Sequence, residues 1–196
     1  MQCGEKANQQ SFGKAFIPDY RFDKAKVIVS FGADFLGTWL SNVEYTKGYS
    51  VGRKLLAAGD QMSRHYQFES GMTITGSNAD VRILVKPSEE SALIAGLYNG
   101  LLKAKGLATV NVPATSVDLS ELVADLIENQ GKSLVVSGSN DVNTQITVNA
   151  INSLLGNYGN TVLTAKILNT HQGIDSEFET LVSEIKNKQV TALLCW

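Results

Sequence analysis

The sequence predicts an α/β protein with three layers, α/β/α, arranged around a mostly parallel sheet. Short apolar runs alternate along the chain with stretches of helical periodicity, and turn residues separate them. One pattern also occurs twice, because residues 27–34 and 134–141 each place a β-branched run before Ser, Gly and Asp. Since strands that alternate with helices form parallel β–α–β units, we expect Rossmann-like units in this fold.

Composition limits the classes of function. Of the 196 residues 43% are hydrophobic, enough for a sizeable core in one large domain or two small ones. With 17 basic and 19 acidic residues the net charge is −2, and neither half has the basic excess of a nucleic-acid surface. We expect no signal peptide and no direct membrane segment, because no apolar run is long enough. Cys3 and Cys195 lie too far apart in sequence for zinc or iron–sulfur spacing.

The first α/β unit is predicted over residues 22–106, after a polar lead-in at residues 1–21. Its first strand starts with a buried β-branched run and breaks at Gly32, which allows a sharp turn. Asp34 is then placed to cap a helix. The expected apolar face of that helix continues towards residues 55–56 and consists of Leu36, Trp39, Leu40 and Val43.

The sequence pattern assigns the middle of this unit less clearly than its two ends. Residues 62–68 mix charges with aromatic rings and receive no clear assignment, whereas residues 72–75 favour a strand or an extended loop. Residues 81–85 form a second strand, which Pro87 ends.

Ser88 is expected to cap the next helix, with Glu89 and Glu90 in a first turn where the helix dipole favours acids. Gly106 ends this helix. Its predicted apolar face consists of Leu93, Ile94, Leu97 and Leu101.

A second α/β unit is predicted over residues 118–196, after a loop at residues 107–117. The two units are either one compact domain or two small packed subdomains. Asp118 and Glu121 have the spacing of a capping box, and the strongly periodic helix that follows ends at Gly131.

The strand and turn at residues 134–141 come next, with Asp141 at the start of a helix. Residues 161–168 predict another strand, and Asp175 is expected to cap an amphipathic helix. The strand-like residues 190–196 have no helix after them, so the sequence resembles a fragment of a longer protein. An unpaired edge strand there would allow homodimerisation.

Four segments, residues 22–39, 62–69, 76–80 and 86–89, resemble the molybdopterin oxidoreductase family. They are similar in particular to the molybdopterin-oxidoreductase-like domain in the iron–sulfur subunit of alternative complex III, a quinol:cytochrome c oxidoreductase. The similarity extends from about Ser11 to the C-terminus. The resemblance implies the same layered α/β fold.

In catalytic members of this family, the resemblance implies, such a domain binds molybdopterin guanine dinucleotide. Backbone amides of a Gly-x-Asn-Pro turn approach the nucleotide, and a Pro-Gly-Thr-Asp segment contributes. Here residues 32–35 stand in place of the first motif and residues 87–90 in place of the second. Both depart from the family pattern, and each places an acidic or bulky side chain where an anionic cofactor would approach. The implied pocket is therefore vestigial, without catalytic residues or metal ligands; its residues are Gly32, Ala33, Asp34, Ser88, Gly138 and Asn140.

The resemblance implies a noncatalytic scaffold domain of a respiratory electron-transfer complex, without molybdenum or iron–sulfur ligands of its own. No cofactor is expected in this chain. The expected partners are other subunits of a membrane-associated complex, at the periplasmic face of a bacterial inner membrane. Two alternatives stay open: a fragment of a catalytic enzyme that contacts the pterin dinucleotide, and a freestanding nucleotide-binding module.

Several residues that invite a chemical interpretation also have a simpler structural one. Gly32 with Asp34 has two interpretations, and the pattern favours a turn with a helix cap over an anion site, because Asp is a preferred cap. His65 and His171 have no partner acid in the sequence pattern, and the adjacent Glu89 and Glu90 would not face each other on a helix. The chain has no Gly-x-Gly-x-x-Gly or Walker motif.

Overall fold

The computed structural model describes residues 2–115, 117–167 and 175–194. They confirm the α/β fold class, with a four-stranded parallel sheet between helices and a small antiparallel sheet beside it. The elements in chain order are α1 (Gln2–Phe12), β1 (Pro18–Tyr20), β2 (Val27–Phe31), α2 (Asn42–Gly52), β3 (Arg64–Glu69), α3 (Ile74–Ser77), β4 (Val81–Leu84), α4 (Pro87–Ala104), α5 (Ser120–Glu128), β5 (Ser133–Ser137), α6 (Val142–Leu154), β6 (Val162–Ile167) and α7 (Asp175–Lys186).

The main sheet has the strand order β4-β3-β2-β5, and all neighbouring strands are parallel. Strand β2 lies inside the sheet, and all five of its residues are buried, as predicted for a strand covered on both faces. Strand β5 comes from the second predicted unit and pairs with β2 from the first. One sheet therefore contains strands from both sides of the 107–117 loop.

One face of the sheet, which we call the apolar face, packs against α4, α5 and α6. Phe31 and Phe68 stack there with ring centroids 4.7 Å apart. The predicted apolar residues of α4 are all buried, and Leu122 and Leu126 of α5 join the same cluster. The period of 3.6 residues in these helices places their apolar side chains on the sheet, as expected.

The opposite face, which we call the mixed face, is covered by α2 and by the segment between β2 and α2. Ile28 and Leu134 lie in a second cluster there, together with several aromatic rings. Phe22 stacks on Phe35 with ring centroids 4.3 Å apart. Helix α2 contributes Tyr45 and Tyr49, which are its buried residues.

The prediction of a helix directly after β2 is wrong. Helix α2 begins only at Asn42, and Leu36, Trp39 and Leu40 lie in turns before it. Val43 is 80% exposed, because the buried side of α2 is formed by tyrosines instead of by the expected aliphatic face. Exposed residues 55–56 lie beyond the end of the helix.

The strand predicted as one possibility for residues 72–75 is also absent, because these residues lead into the short helix α3. The Thr73 hydroxyl accepts a hydrogen bond from the Gly76 backbone N–H at 3.0 Å and so caps this turn. A cap favours the helical turn over the extended chain that the β-branched residues suggested.

Two predicted helix caps are also wrong. Helix α4 starts at Pro87 with Lys86 as the capping residue, so Ser88 lies inside the first turn and caps nothing. At α5 the Asp118 carboxylate accepts from the Ser120 N–H, while the Glu121 carboxylate bonds Arg64 instead of closing a capping box. Asp141 does cap α6, accepting from the Thr144 N–H at 2.7 Å.

The outer elements form no strand of the main sheet, although Val162 of β6 packs in the cluster on its mixed face. Residues 1–21, predicted as a polar lead-in, contain α1 and β1. The strand predicted at residues 161–168 is present as β6, and it pairs antiparallel with β1. Helix α7 is present, whereas residues 190–194 form no strand. The cap predicted at Asp175 and the final residues 195–196 lie outside the described part of the structure.

Candidate functional site

The chain reverses its winding between β2 and β5. Helix α2, which follows β2, covers the mixed face, whereas α6, which follows β5, covers the apolar face. In open α/β sheets this divergence opens a crevice at the carboxyl ends of the two strands, where such folds bind ligands. The carboxyl ends of β2 and β5 therefore form the candidate site.

Gly32 and Gly138 meet at this crevice. The Gly32 N–H donates to the Phe68 carbonyl and the Gly138 N–H to the Phe31 carbonyl, each at 2.8 Å. Gly32 has a φ of +61°, which favours glycine. A β-carbon at Gly138 would lie 2.6 Å from the Gly32 carbonyl oxygen. The two predicted turns thus pack directly against each other and leave no space between them.

Glu90, and not Ser88, reaches the crevice from α4. A β-carbon at Gly32 would lie 3.2 Å from Glu90 Oε2, and the Ser137 hydroxyl donates to Glu90 Oε1 at 3.2 Å. Burial raises the pKa of Glu90, and the bond from Ser137 opposes that rise. Ser88 is exposed in the first turn of the same helix. A carboxylate therefore lies beside the Gly32 turn, where it would oppose a phosphate.

Asp34 does not cap a helix but joins the turn after β2 to α3. Its Oδ1 accepts from the Thr75 hydroxyl at 2.7 Å and from the Thr75 N–H at 3.2 Å. Thr75 in turn accepts a bond from the Leu36 N–H. Ala33 is fully buried, and its carbonyl accepts from the Ser30 hydroxyl. Both residues are thus engaged in bonds within the protein.

A hollow of about 190 Å³ lies beside the two turns, and we call it the switch-point hollow. Trp39 and Tyr20, with ring centroids 5.3 Å apart, form an aromatic wall. Two of the predicted site residues, Gly138 and Asn140, line this hollow. Ligand pockets usually measure roughly 300–1,000 Å³, so this hollow accepts a ring-sized group and no dinucleotide. Its other lining residues are Gly4, Asn8, Ile17, Pro18, Thr38, Leu40, Ser137, Ser139 and Gln145, none of them charged.

Strand β3 carries a polar ladder that the sequence interpretation missed. On the mixed face, His65, Gln67 and Glu69 are all buried. His65 Nε2 lies 3.3 Å from Gln67 Oε1, and Gln67 Nε2 donates to Glu69 Oε2 at 3.3 Å. Alternation of these residues with Tyr66 and Phe68 was the available signal, since it has the period of two of a strand.

Both ends of the ladder are closed by further bonds. At one end His65 Nδ1 lies 3.2 Å from the Tyr49 hydroxyl, which also donates to the Asn78 carbonyl at 3.0 Å. At the other end Glu69 forms a salt bridge with Arg82 and accepts from the Thr73 hydroxyl at 2.6 Å. Each side chain of the ladder has a hydrogen-bond partner within the protein, which is typical of a structural polar network, and a neutral His65 ring supplies one proton for its two nitrogens.

The pKa values in the ladder follow from these surroundings. Burial lowers the pKa of His65 to about 4, so the ring is neutral at pH 7. Burial alone would raise the pKa of Glu69, but the bonds from Thr73 and Arg82 outweigh it and lower that pKa. A neutral His beside an ionised, salt-bridged Glu does not form an acid–base pair near neutral pH.

The remaining candidates from the sequence do not assemble into a site. Within the described ranges, no group of three or more His, Cys, Asp or Glu residues could hold a metal ion. His171 and Cys195, and the side chain of Cys3, lie outside the described residues. In the part of the chain that is described, no helix combines the length and apolar character needed to cross a bilayer.

No protein-family model matches the chain, and no curated protein matches it significantly in sequence.

Proposed function

We propose that the chain is a noncatalytic, scaffold-type domain of a respiratory electron-transfer complex, similar to the molybdopterin-oxidoreductase-like domain of the alternative complex III iron–sulfur subunit. The proposal takes its partners, the other subunits of a membrane-associated complex, from the resemblance of residues 22–39, 62–69, 76–80 and 86–89. It takes its noncatalytic character from the crevice at the ends of β2 and β5.

The supporting observation is that this crevice is filled from within the protein. Gly138 packs on the Gly32 carbonyl, Glu90 lies beside the Gly32 turn, and Asp34 is bonded to Thr75. The residues present do not fit a pterin guanine dinucleotide, because its phosphates would meet the Glu90 carboxylate and the adjoining hollow is too small. The alternative of a catalytic fragment is weakened for the same reason.

The test uses the chromosomal protein with an affinity tag, purified from membranes in mild detergent. The proposal expects the chain to migrate on native gels with other subunits in a complex that has quinol:cytochrome c oxidoreductase activity. Metal analysis and mass spectrometry of the same band should find no molybdenum or pterin in stoichiometric amount with this chain. A chain that migrates alone, or that carries stoichiometric pterin, contradicts the proposal.

A second candidate function is favoured by the switch-point hollow. Its aromatic wall of Tyr20 and Trp39 and its uncharged lining suit a neutral ring, so a freestanding module would bind the base of a nucleotide there. Guanosine should then raise the melting temperature, and Trp39→Ala should abolish that shift. The scaffold proposal expects no shift with guanosine or GTP, so this measurement separates the two functions.

A further inference from the structure

We define a groove from two hollows beside the small antiparallel sheet that share lining residues. One has a volume of about 430 Å³ and the other about 590 Å³, and both are lined by Arg21, Asp23 and Leu163. Val51, which is 55% exposed, adds an apolar side chain to the first hollow. We call this feature the lysine groove, after the five lysines that line it, Lys24, Lys26, Lys47, Lys132 and Lys166.

The lysine groove has an excess of positive charge. Within the described residues, the four lysines other than Lys166 form no ion pair, and all four are exposed. The Lys26 N–H donates to the Lys132 carbonyl at 2.6 Å, which holds these two lysines side by side. The acids of the groove are already paired: Asp23 with Arg21, and Asp19 and Glu44 with Lys166. Lysines on a chain of net charge −2 therefore form a local cationic surface.

Helix α7 has the complementary composition and an exposed apolar face. Phe178 is 67% exposed and Ile185 is 44% exposed, and no α7 residue belongs to the two core clusters formed by the described side chains. At 100° per residue, Leu181 and Val182 lie on the same side of the helix as Phe178 and Ile185. An apolar face of this kind normally needs a partner surface.

Three carboxylates flank that apolar face. Helical geometry places Glu177 and Glu184 along one side of it and Glu179 along the other. In the described structure all three are exposed and none of them is in an ion pair. An apolar strip with acidic margins has charge opposite to that of a groove lined by apolar side chains and exposed lysines.

We propose that α7 of one copy docks in the lysine groove of a second copy of this chain. In its own chain, no described residue of α7 lines the groove. Each copy has one helix and one groove, so the assembly that we propose is the reciprocal exchange that closes into a twofold dimer, and not an open chain of copies. This proposal does not rest on the proposed function, since it concerns only the surface of the chain.

The expected dimer is weak and sensitive to salt. Helix α7 has 12 residues and is about 18 Å long, so each docked helix buries a small area. Interfaces of this size form transient complexes, and screening by salt weakens their ion pairs. The dimer fraction should therefore rise with protein concentration and fall when salt is added.

The test is a charge swap measured by sedimentation velocity. The helix variant is Glu177→Lys/Glu179→Lys/Glu184→Lys, and the groove variant is Lys24→Glu/Lys26→Glu/Lys132→Glu. Each variant alone should lose at least about tenfold in association constant, because like charges then face each other. A mixture should recover a dimer, since the helix of one variant matches the groove of the other.

Matched controls carry the same charge changes elsewhere: Lys14→Glu/Lys54→Glu/Lys103→Glu and Glu5→Lys/Glu89→Lys/Glu128→Lys. They should dimerise as the wild type does, and circular dichroism should show all variants folded. A wild type that stays monomeric at high concentration and low salt overturns the proposal. So does a dimer that survives both swaps, which would place the interface elsewhere.

Discussion

On the apolar face of the sheet Phe31 and Phe68 pack in a cluster of aliphatic side chains, whereas on the mixed face His65 and Gln67 lie in a chain of hydrogen bonds. Both faces are equally well buried, since these four residues are all at most 1% exposed. The apolar face depends on side-chain volume and tolerates exchange of one hydrocarbon for another. The mixed face depends on each polar atom having its partner, so a single loss leaves a buried group unsatisfied.

The largest effect should come from the apolar face. Phe31→Ala removes a fully buried ring that stacks on Phe68, and we expect unfolding to become easier by about 4 kcal/mol because a cavity remains. Urea denaturation monitored by circular dichroism measures this free energy. The control Phe31→Leu should cost less than about 1.5 kcal/mol, because it keeps most of the volume. Equal losses in the two variants would show that volume does not govern this face.

Breaking the ladder at Glu69 tests the mixed face. Glu69→Ala leaves Arg82 without its partner and the Thr73 and Gln67 donors unsatisfied, so we expect a loss of about 3 kcal/mol in unfolding free energy. The comparison variant is Glu89→Ala, whose carboxylate forms an exposed ion pair with Lys86. It should cost well under about 1 kcal/mol. Similar losses for both would mean that the ladder adds nothing beyond surface pairing.

His65 should make stability depend on pH. Its pKa is about 4 in the folded protein and about 6.5 when unfolded, so the unfolded chain binds more protons between these values. The stabilising contribution is therefore complete above pH 6.5 and is lost as the pH falls to about 4, in total about 3 kcal/mol. The difference between the wild-type and His65→Gln stability curves isolates this contribution. Parallel curves would contradict it.

The smallest effects come from two tyrosine hydroxyls of α2. The Tyr45 hydroxyl is buried without a hydrogen-bond partner among the described residues, so Tyr45→Phe should raise the unfolding free energy by about 1 kcal/mol. The Tyr49 hydroxyl bonds both His65 and Asn78, so Tyr49→Phe should lower it by about 1 kcal/mol. Thermal denaturation of the two variants, measured side by side, gives the sign of the change in unfolding free energy for each one. A stabilising Tyr49→Phe would show that the ladder is not anchored there.

The two faces also differ in how well the sequence predicted them. The buried positions of α4 and the presence of α5 were predicted because aliphatic residues recur there with a helical period. Strand β3 was missed because its residues 64–69 alternate polar with aromatic side chains, and polar residues indicate exposure when their partners are unknown. Those partners lie 16 residues away at Tyr49 and 13 residues away at Arg82.

The sequence predicted the position of the candidate site but not all of the side chains that form it. Gly32 and Gly138 lie together as the repeated strand–turn pattern suggested, and Asn140 lies beside them. The group from α4 that reaches them is Glu90 instead of Ser88, because α4 begins at Pro87 and turns Ser88 outwards. Adjacent residues on a helix point about 100° apart, so the exact start of the helix decides which one faces the crevice.

The sequence by itself determined the α/β class, the strands of residues 27–31 and 133–137 and the aliphatic face of α4, because local periodicity encodes them. Only the tertiary structure decided that Asp34 bonds Thr75, that His65 is buried and neutral, and that the crevice is closed. Each of these depends on groups far apart in the chain that meet only when the sheet has formed. Hydrogen bonding and desolvation act between such neighbours in space, and no local pattern records them.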